Sequence, residues 1–272
     1  NYNYTGNSLT VFVNNSTNDK KNSGYQNQIT TAGIGTRFEQ YKDIYLSPSL
    51  KYTYDELKVD NTASDSLKKQ KGSFSDLIFD YSIQLDKRNR AFAPTEGYST
   101  SFRQEVPFYS ATPFIANTYN LRTYKSFTKD AIGSFKLYAA AINGFSDKDV
   151  RVQRRLKLSS SKLRGFESGK VGPVDGTDFI GGNYAAVTNF EVNLPNLLPE
   201  ATKVDVGLFL DVGNLWEVDY DSLLDDSNKI RSSTGINAEW SSPLGPMSFV
   251  FAQNITKAST DVTEGFNFNL GT

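Results

Sequence analysis

Apolar and polar residues alternate with a period of two along nearly the whole chain, and a chain with that period folds as β-strands. In 44–55, Ile44, Leu46, Pro48, Leu50, Tyr52 and Tyr54 share one face, opposite Tyr45, Ser47, Ser49, Lys51, Thr53 and Asp55. In 76–86, Leu77, Phe79, Tyr81, Ile83 and Leu85 oppose Asp76, Asp80, Ser82, Gln84 and Asp86. In 203–213, Val204, Val206, Leu208, Leu210 and Val212 oppose Lys203, Asp205, Gly207, Asp211 and Gly213. In 266–270, Phe266, Phe268 and Leu270 oppose Asn267 and Asn269. Similar segments lie near 8–14, 27–40, 97–108, 117–127, 131–145, 182–194, 231–241 and 246–255. The pattern predicts about twelve strands, mostly of the roughly 9–11 residues that cross a bilayer at a tilt.

Mean hydropathy is −0.46, and no apolar run approaches the length of a membrane helix. An antiparallel transmembrane β-barrel reconciles these facts, because lipid-facing and lumen-facing residues alternate and each strand averages to near neutral. A soluble sandwich also alternates, but it turns its polar face outward. A solenoid or propeller needs a repeat of fixed period, and the sequence has none. The punctuators support the barrel. NNSTNDKKNSG (14–24), DNTASDSLKKQKGS (60–73) and 146–180 are long and charged, whereas KDAIG (129–133) is short. Long loops on one side and short turns on the other are the outer-membrane arrangement. Tyr54, Phe108, Phe127, Phe145, Trp216 and Trp240 stand near strand ends, where interfacial girdles form.

Composition removes several chemistries. The chain has no Cys and no His, so disulfides, thiol nucleophiles, Cys/His zinc sites and His-based triads are out. The formal net charge of −1 offers no field for nucleic acid. No catalytic residue, metal site or cofactor is expected. Asn1 is not a start residue and no apolar signal run follows it, so the sequence is expected to be a mature chain or a piece of one.

Four stretches stand out together: LRGF (163–166), IGGNYAAVTNFEVNLP (180–195), GLFLDVGNLW (207–216) and RSSTGINAEWSSPLGPMSFVFAQNI (231–255), with EGFNFNLGT at 264–272. The RGF tripeptide (Arg164, Gly165, Phe166), the F-x-D-x-G strand (Phe209, Asp211, Gly213) and W-x-SPLGP (Trp240, Ser242, Pro243, Leu244, Gly245, Pro246) occur in one order. The series resembles the outer-membrane protein insertase superfamily, most closely its barrel-assembly factors. The resemblance is clear over 74–272 and weaker over 1–73. It implies that 1–272 is one barrel domain, about twelve C-terminal strands of a sixteen-stranded barrel. The first strands and the periplasmic POTRA domains would lie outside this sequence. Family members usually end in a polar residue and a terminal aromatic, so Thr272 is expected to stand one or two residues short.

Alternation puts Glu191 on the face of Asn189 and Asn193, opposite Phe190, Val192 and Leu194. Asp211 points the same way, and the short 195–203 connection makes the two strands antiparallel neighbours. Two inward carboxylates can be served by one planar guanidinium, for which Arg164 is the natural candidate. They can equally be solvated lumen residues contributing little, with Arg164 in water on an exterior loop. A catalytic carboxylate pair is the third reading, but no nucleophile or metal set accompanies it. The resemblance implies the first: the RGF loop folds into the barrel and its Arg meets acids matching Glu191 and Asp211. Gly165 would permit the turn, and Phe166 would wedge against the wall. SPLGP reads as a tight hairpin, with Pro243 at the second turn position and Gly245 supplying a permissive φ. Phe266, Phe268, Leu270 and Gly271 resemble the C-terminal recognition signal of outer-membrane barrels.

The implied function is folding and insertion of β-barrel proteins into the bacterial outer membrane through a lateral seam. The partners would be the lipid bilayer, nascent barrel clients, and accessory lipoproteins bound through periplasmic domains. Rivals are a two-partner secretion or TamA-like translocation barrel of the same superfamily, and a passive porin.

Overall fold

The computed structural model describes residues 6–20, 25–59, 61, 63–145, 148–242 and 245–270. The elements are β1 (Ser8–Lys20), β2 (Tyr25–Tyr41), β3 (Ile44–Val59), α1 (Asp65–Lys69), β4 (Gly72–Asp86), β5 (Gly97–Tyr109), β6 (Phe114–Thr128) and β7 (Ala131–Gly144). They continue with β8 (Val174–Asp175), β9 (Asp178–Phe179), β10 (Tyr184–Leu194), β11 (Val204–Trp216), β12 (Arg231–Ser242), β13 (Gly245–Thr256) and β14 (Phe266–Leu270). All but β8 and β9 form one 12-stranded sheet in chain order, and every neighbouring pair is antiparallel. β1 and β14 stand at the two ends of that order and do not pair with each other among the described residues.

The two faces of the sheet separate as a membrane wall requires. Phe190, Leu208, Leu210, Ile236, Phe251, Phe266 and Phe268 are exposed, while Asp55, Asp76, Glu191, Asp211 and Arg231 are buried. A soluble sandwich would reverse this, with charge outside and apolar side chains within. Aromatic residues mark both rims. Tyr54, Phe108 and Phe145 are exposed towards the rim of the long loops, and Phe127 and Trp240 towards the opposite rim.

The long connections do not stay outside. Within the 145–183 connection, residues 148–183 cross the inner face and carry the β8–β9 hairpin. Leu158, Leu163, Phe166 and Val171 pack there on Ala185, Val187 and Leu215 of the wall. Val152 and Ile180 pack with Leu57, Leu67 of α1 and Val218. Val150 packs with Ile78, Phe114 and Ile142. The inner face of the sheet thus holds apolar clusters built by the inserted loop, set among polar wall residues.

Two expectations about the strands are corrected. Ten of the twelve run 12 to 17 residues, longer than the roughly 9–11 that cross a bilayer, and β10 has 11. The 14–24 stretch is also no long loop, because β1 continues to Lys20 and β2 starts at Tyr25. The reason is shared: ladder hydrogen bonds do not require apolar side chains, so pairing continues past the apolar pattern through polar residues. Asn15 Nδ2, for example, donates to Thr30 Oγ1 across the β1–β2 pair at 2.9 Å.

Candidate functional site

Glu191 and Asp211 sit on β10 and β11, which pair with Asn189 opposite Asp211 and Glu191 opposite Phe209. Strand alternation therefore fixes Asn189, Glu191, Phe209 and Asp211 on one inner patch. Arg164 enters this patch from the 145–183 loop. Its Nη1 donates to Glu191 Oε2 at 2.8 Å. Its Nε and Nη2 donate to the two oxygens of Asp211 at 2.8 and 2.7 Å. The Arg164 amide also donates to Asp211, at 3.1 Å. The guanidinium carbon lies 3.7 Å from the Phe209 ring centroid, so the F-x-D strand supplies both a carboxylate and a π face. Asp211 has 0% exposure, and its charge is fully met by Arg164. Burial alone would lower the Arg164 pKa; hydrogen bonds and charge from Asp211, then Glu191, outweigh it and raise it.

The rest of RGF is fixed by the next two strands. Ser233 Oγ of β12 donates to the Arg164 carbonyl, and Asn254 Nδ2 of β13 donates to the Gly165 carbonyl at 2.9 Å. Gly165 has φ +87, and a Cβ there would stand 3.1 Å from Asn254 Nδ2 and Ser233 Cβ. Glycine answers both constraints. Phe166 is 1% exposed and fills the cluster with Leu163, Val187 and Leu215. Asn189 Nδ2 caps the Lys162 carbonyl at 2.8 Å.

The remaining sequence candidates fall as follows. Gly213 shares the Asp211 face, but its space is taken by Val187 Cγ2 and the Ala186 carbonyl, within 2.9 Å of a built Cβ. Its contribution is close packing of β10 on β11. Trp240 is on the outer face, and Ser242 pairs with Gly245, as does Ser241 with Pro246. Pro243 and Leu244 lie outside the described residues, so the turn itself is not described. Gly245 has φ +117. Phe266 and Phe268 face outward and meet Phe251 and Phe249 as tilted ring pairs, each with centroids 5.1 Å apart. Leu270 is exposed on the same face, and Gly271 lies outside the described residues.

Sequence reasoning missed further inward arginines. Arg151 and Arg154 from the same loop both reach Asp76 on β4, and Arg155 reaches Asp219 and Asn183. Arg231, at the head of β12, is 0% exposed and binds Asp226 and Asp261. Their partners are 5 to 78 residues away in sequence, so only the tertiary fold assembles the pairs. For Arg151, Arg154 and Arg155 the charged character of 146–180 was the one signal available; Arg231 had none.

The Omp85 superfamily domain model matches residues 3–272. The chain is 27% identical over 259 residues to the outer membrane protein assembly factor BamA of Neorickettsia risticii, covering 93% of this chain and 35% of that protein. It is 27% identical to BamA of Neisseria meningitidis, covering 74% of this chain and 29% of the relative. The chain thus spans about a third of the length of these relatives. Among solved structures, BamA from Haemophilus ducreyi lacking POTRA domains 1–3 superposes with a TM-score of 0.85 at 23% identity, over 98% of this chain and 59% of that one. CdiB from Acinetobacter baumannii superposes at 0.60 and 12% identity, over 90% of this chain and 42% of that one. With the family model matched from residue 3 to residue 272, the chain belongs to the Omp85 superfamily.

Proposed function

We propose that this chain forms the membrane barrel of an outer-membrane protein assembly factor, which folds β-barrel proteins and inserts them into the bacterial outer membrane. In this reading its strands are the C-terminal twelve of a sixteen-stranded barrel. Client strands add at a lateral seam beside β14. Accessory lipoproteins bind through periplasmic domains outside this chain. No bond is made or broken, and no cofactor is used.

One observation carries the proposal. β14 has five described residues, against 11 to 17 in every other strand of the sheet, and it starts only at Phe266, opposite Phe251. β13 runs on to Thr256; the Ala252 amide still donates to the Gly265 carbonyl, and beyond it the 253–256 edge lacks a strand partner among the described residues. An unpaired row of N–H and C=O groups is a template for another chain's strand. The BamA relatives and the BamA-like fold support assembly over secretion.

The CdiB likeness keeps a secretion barrel as the second reading, which would conduct an unfolded substrate through the lumen. The clusters that 145–183 builds inside the barrel oppose such passage. The test is reconstitution of the full-length protein in liposomes with an unfolded client barrel. Assembly predicts client that becomes folded and membrane-embedded. Secretion predicts an unfolded partner delivered across the bilayer with no gain in client folding.

A further inference from the structure

Resting on the assembly reading, we infer that Arg231 is a second positioning arginine, which holds the connection after β13 against the inner wall and thereby sets where the last strand begins. Gly265 still accepts from the Ala252 amide of β13 at 2.9 Å, but the 257–264 connection before it does not continue along β13. It turns inward and pairs with the RGF segment: Glu167 N donates to the Val262 carbonyl at 3.0 Å, Val262 N to Lys170 at 3.1 Å, and Glu264 N to Gly165 at 3.0 Å. Phe166 and Thr263 form a bridge between the two segments.

The sequence explains why the strand stops. Phe266, Phe268 and Leu270 face outward, and continuing that register would put Glu264 on the same lipid face. A carboxylate facing lipid is costly. In the inward turn Glu264 instead accepts from Asn267 Nδ2 at 2.9 Å. A chain that leaves the ladder needs another anchor, and Arg231 supplies it.

Each of the five N–H donors of Arg231 has a partner. Nε and Nη2 serve Asp261 at 2.9 and 2.8 Å. Nη2 also serves Asp226 at 2.6 Å, and Nη1 serves Asn214 Oδ1 and the Lys229 carbonyl at 2.5 and 3.1 Å. Asp261 is closed from its own side by the Ala258 amide at 2.6 Å. Arg231 therefore ties β11, the 217–230 loop and the last connection at one point. Two residues along the same face, Ser233 holds the Arg164 carbonyl. The register shift at Ser232/Ser233 leaves Ile255 as an extra residue in β13, and such a bulge re-aims the strand end. RGF loop, last connection and β12 are thus one hydrogen-bonded unit, with an arginine at each end.

The test is a distance measurement on the full-length protein in liposomes. Spin labels are placed through Ile236→Cys on the outer face of β12 and Thr260→Cys in the connection, where both native residues are exposed. The parent is expected to give one narrow distance. Asp261→Asn and Arg231→Gln are expected to shift the population to longer, broader distances and to slow client assembly. Asp226→Asn, which removes a charge from the same cluster but not from the last connection, is expected to leave the distance unchanged. If Arg231→Gln does not insert, Asp261→Asn carries the comparison. An unchanged narrow distance in Asp261→Asn overturns the inference, as does an equal shift in Asp226→Asn. A parent that holds the narrow distance while assembling no client supports the clamp and overturns the assembly reading alone.

Discussion

Arg164 and Asp211 meet through three hydrogen bonds, from the Arg164 amide, Nε and Nη2. The backbone bond means that Asp211 fixes the loop as well as the side chain. From Arg164, Glu191 takes one bond, from Nη1, with Lys136 Nζ 3.9 Å from the same carboxylate. The two acids are therefore unequal.

Asp211→Asn is expected to loosen the RGF loop more than Glu191→Gln. Removing one partner of a buried ion pair costs about 3–5 kcal/mol, and a hydrogen bond to a charged group contributes about 1.5–3 kcal/mol. Hydrogen exchange of the 163–170 amides measures this. Protection should fall further in Asp211→Asn than in Glu191→Gln; equal protection in the two would mean that the three bonds do not act together.

Gly165→Ala places a side chain at φ +87 and within 3.1 Å of Asn254 and Ser233. The left-handed conformation alone costs about 1–2 kcal/mol. Release of the Gly165 carbonyl from Asn254 and Glu264 should follow, read as faster exchange at Glu264. A Gly165→Ala variant with parental protection there would argue against the tight fit.

Gly235 lies between β11 and β13, and a Cβ there would come within 1.9 Å of the Phe251 carbonyl and 2.9 Å of the Phe209 ring. Backbone cannot yield cheaply at that distance. Gly235→Ala is expected to break the β12–β13 ladder and to shift the folded, heat-resistant gel band towards the unfolded position at a lower temperature than the parent. An unshifted transition would show that the strands separate without cost.

Asp225 organises the loop that presents Asp226 to Arg231, accepting from the Glu217 and Ser227 amides, both at 3.0 Å. Burial alone would raise its pKa; hydrogen bonds from Ser227, Glu217 and Asp226 outweigh it and hold it below the usual carboxylate value. A folded pKa below the unfolded one gives stability that is complete above about pH 4 and is lost as pH falls through the lowered value. Protection of the Glu217 amide should follow that course in the parent and lose its acid dependence in Asp225→Asn.

The sequence and the structure agree where a local rule governs. Period two located the strands, because burial of alternate residues is a local constraint, and it put Glu191 and Asp211 on one face. It misjudged strand ends at Lys20 and Tyr25, where pairing outlasts the apolar pattern. Arg164 was legible only through the motif resemblance; the residues alone left it solvated or bound. Arg231 was illegible, since Asp261 lies 30 residues on and meets it only after the last connection turns inward. The Arg151 pairs with Asp55 and Asp76 were hidden for the same reason.

The most direct test of the account is the client-assembly rate of full-length Arg164→Lys in liposomes. Lysine keeps the charge but lacks the planar fork that serves Glu191 and both oxygens of Asp211. Losing one charge-assisted hydrogen bond is worth about 1.5–3 kcal/mol, so the account predicts a rate at least about tenfold below the parent's in a variant that still shows the folded gel band. A folded Arg164→Lys barrel that assembles clients at the parental rate would contradict it.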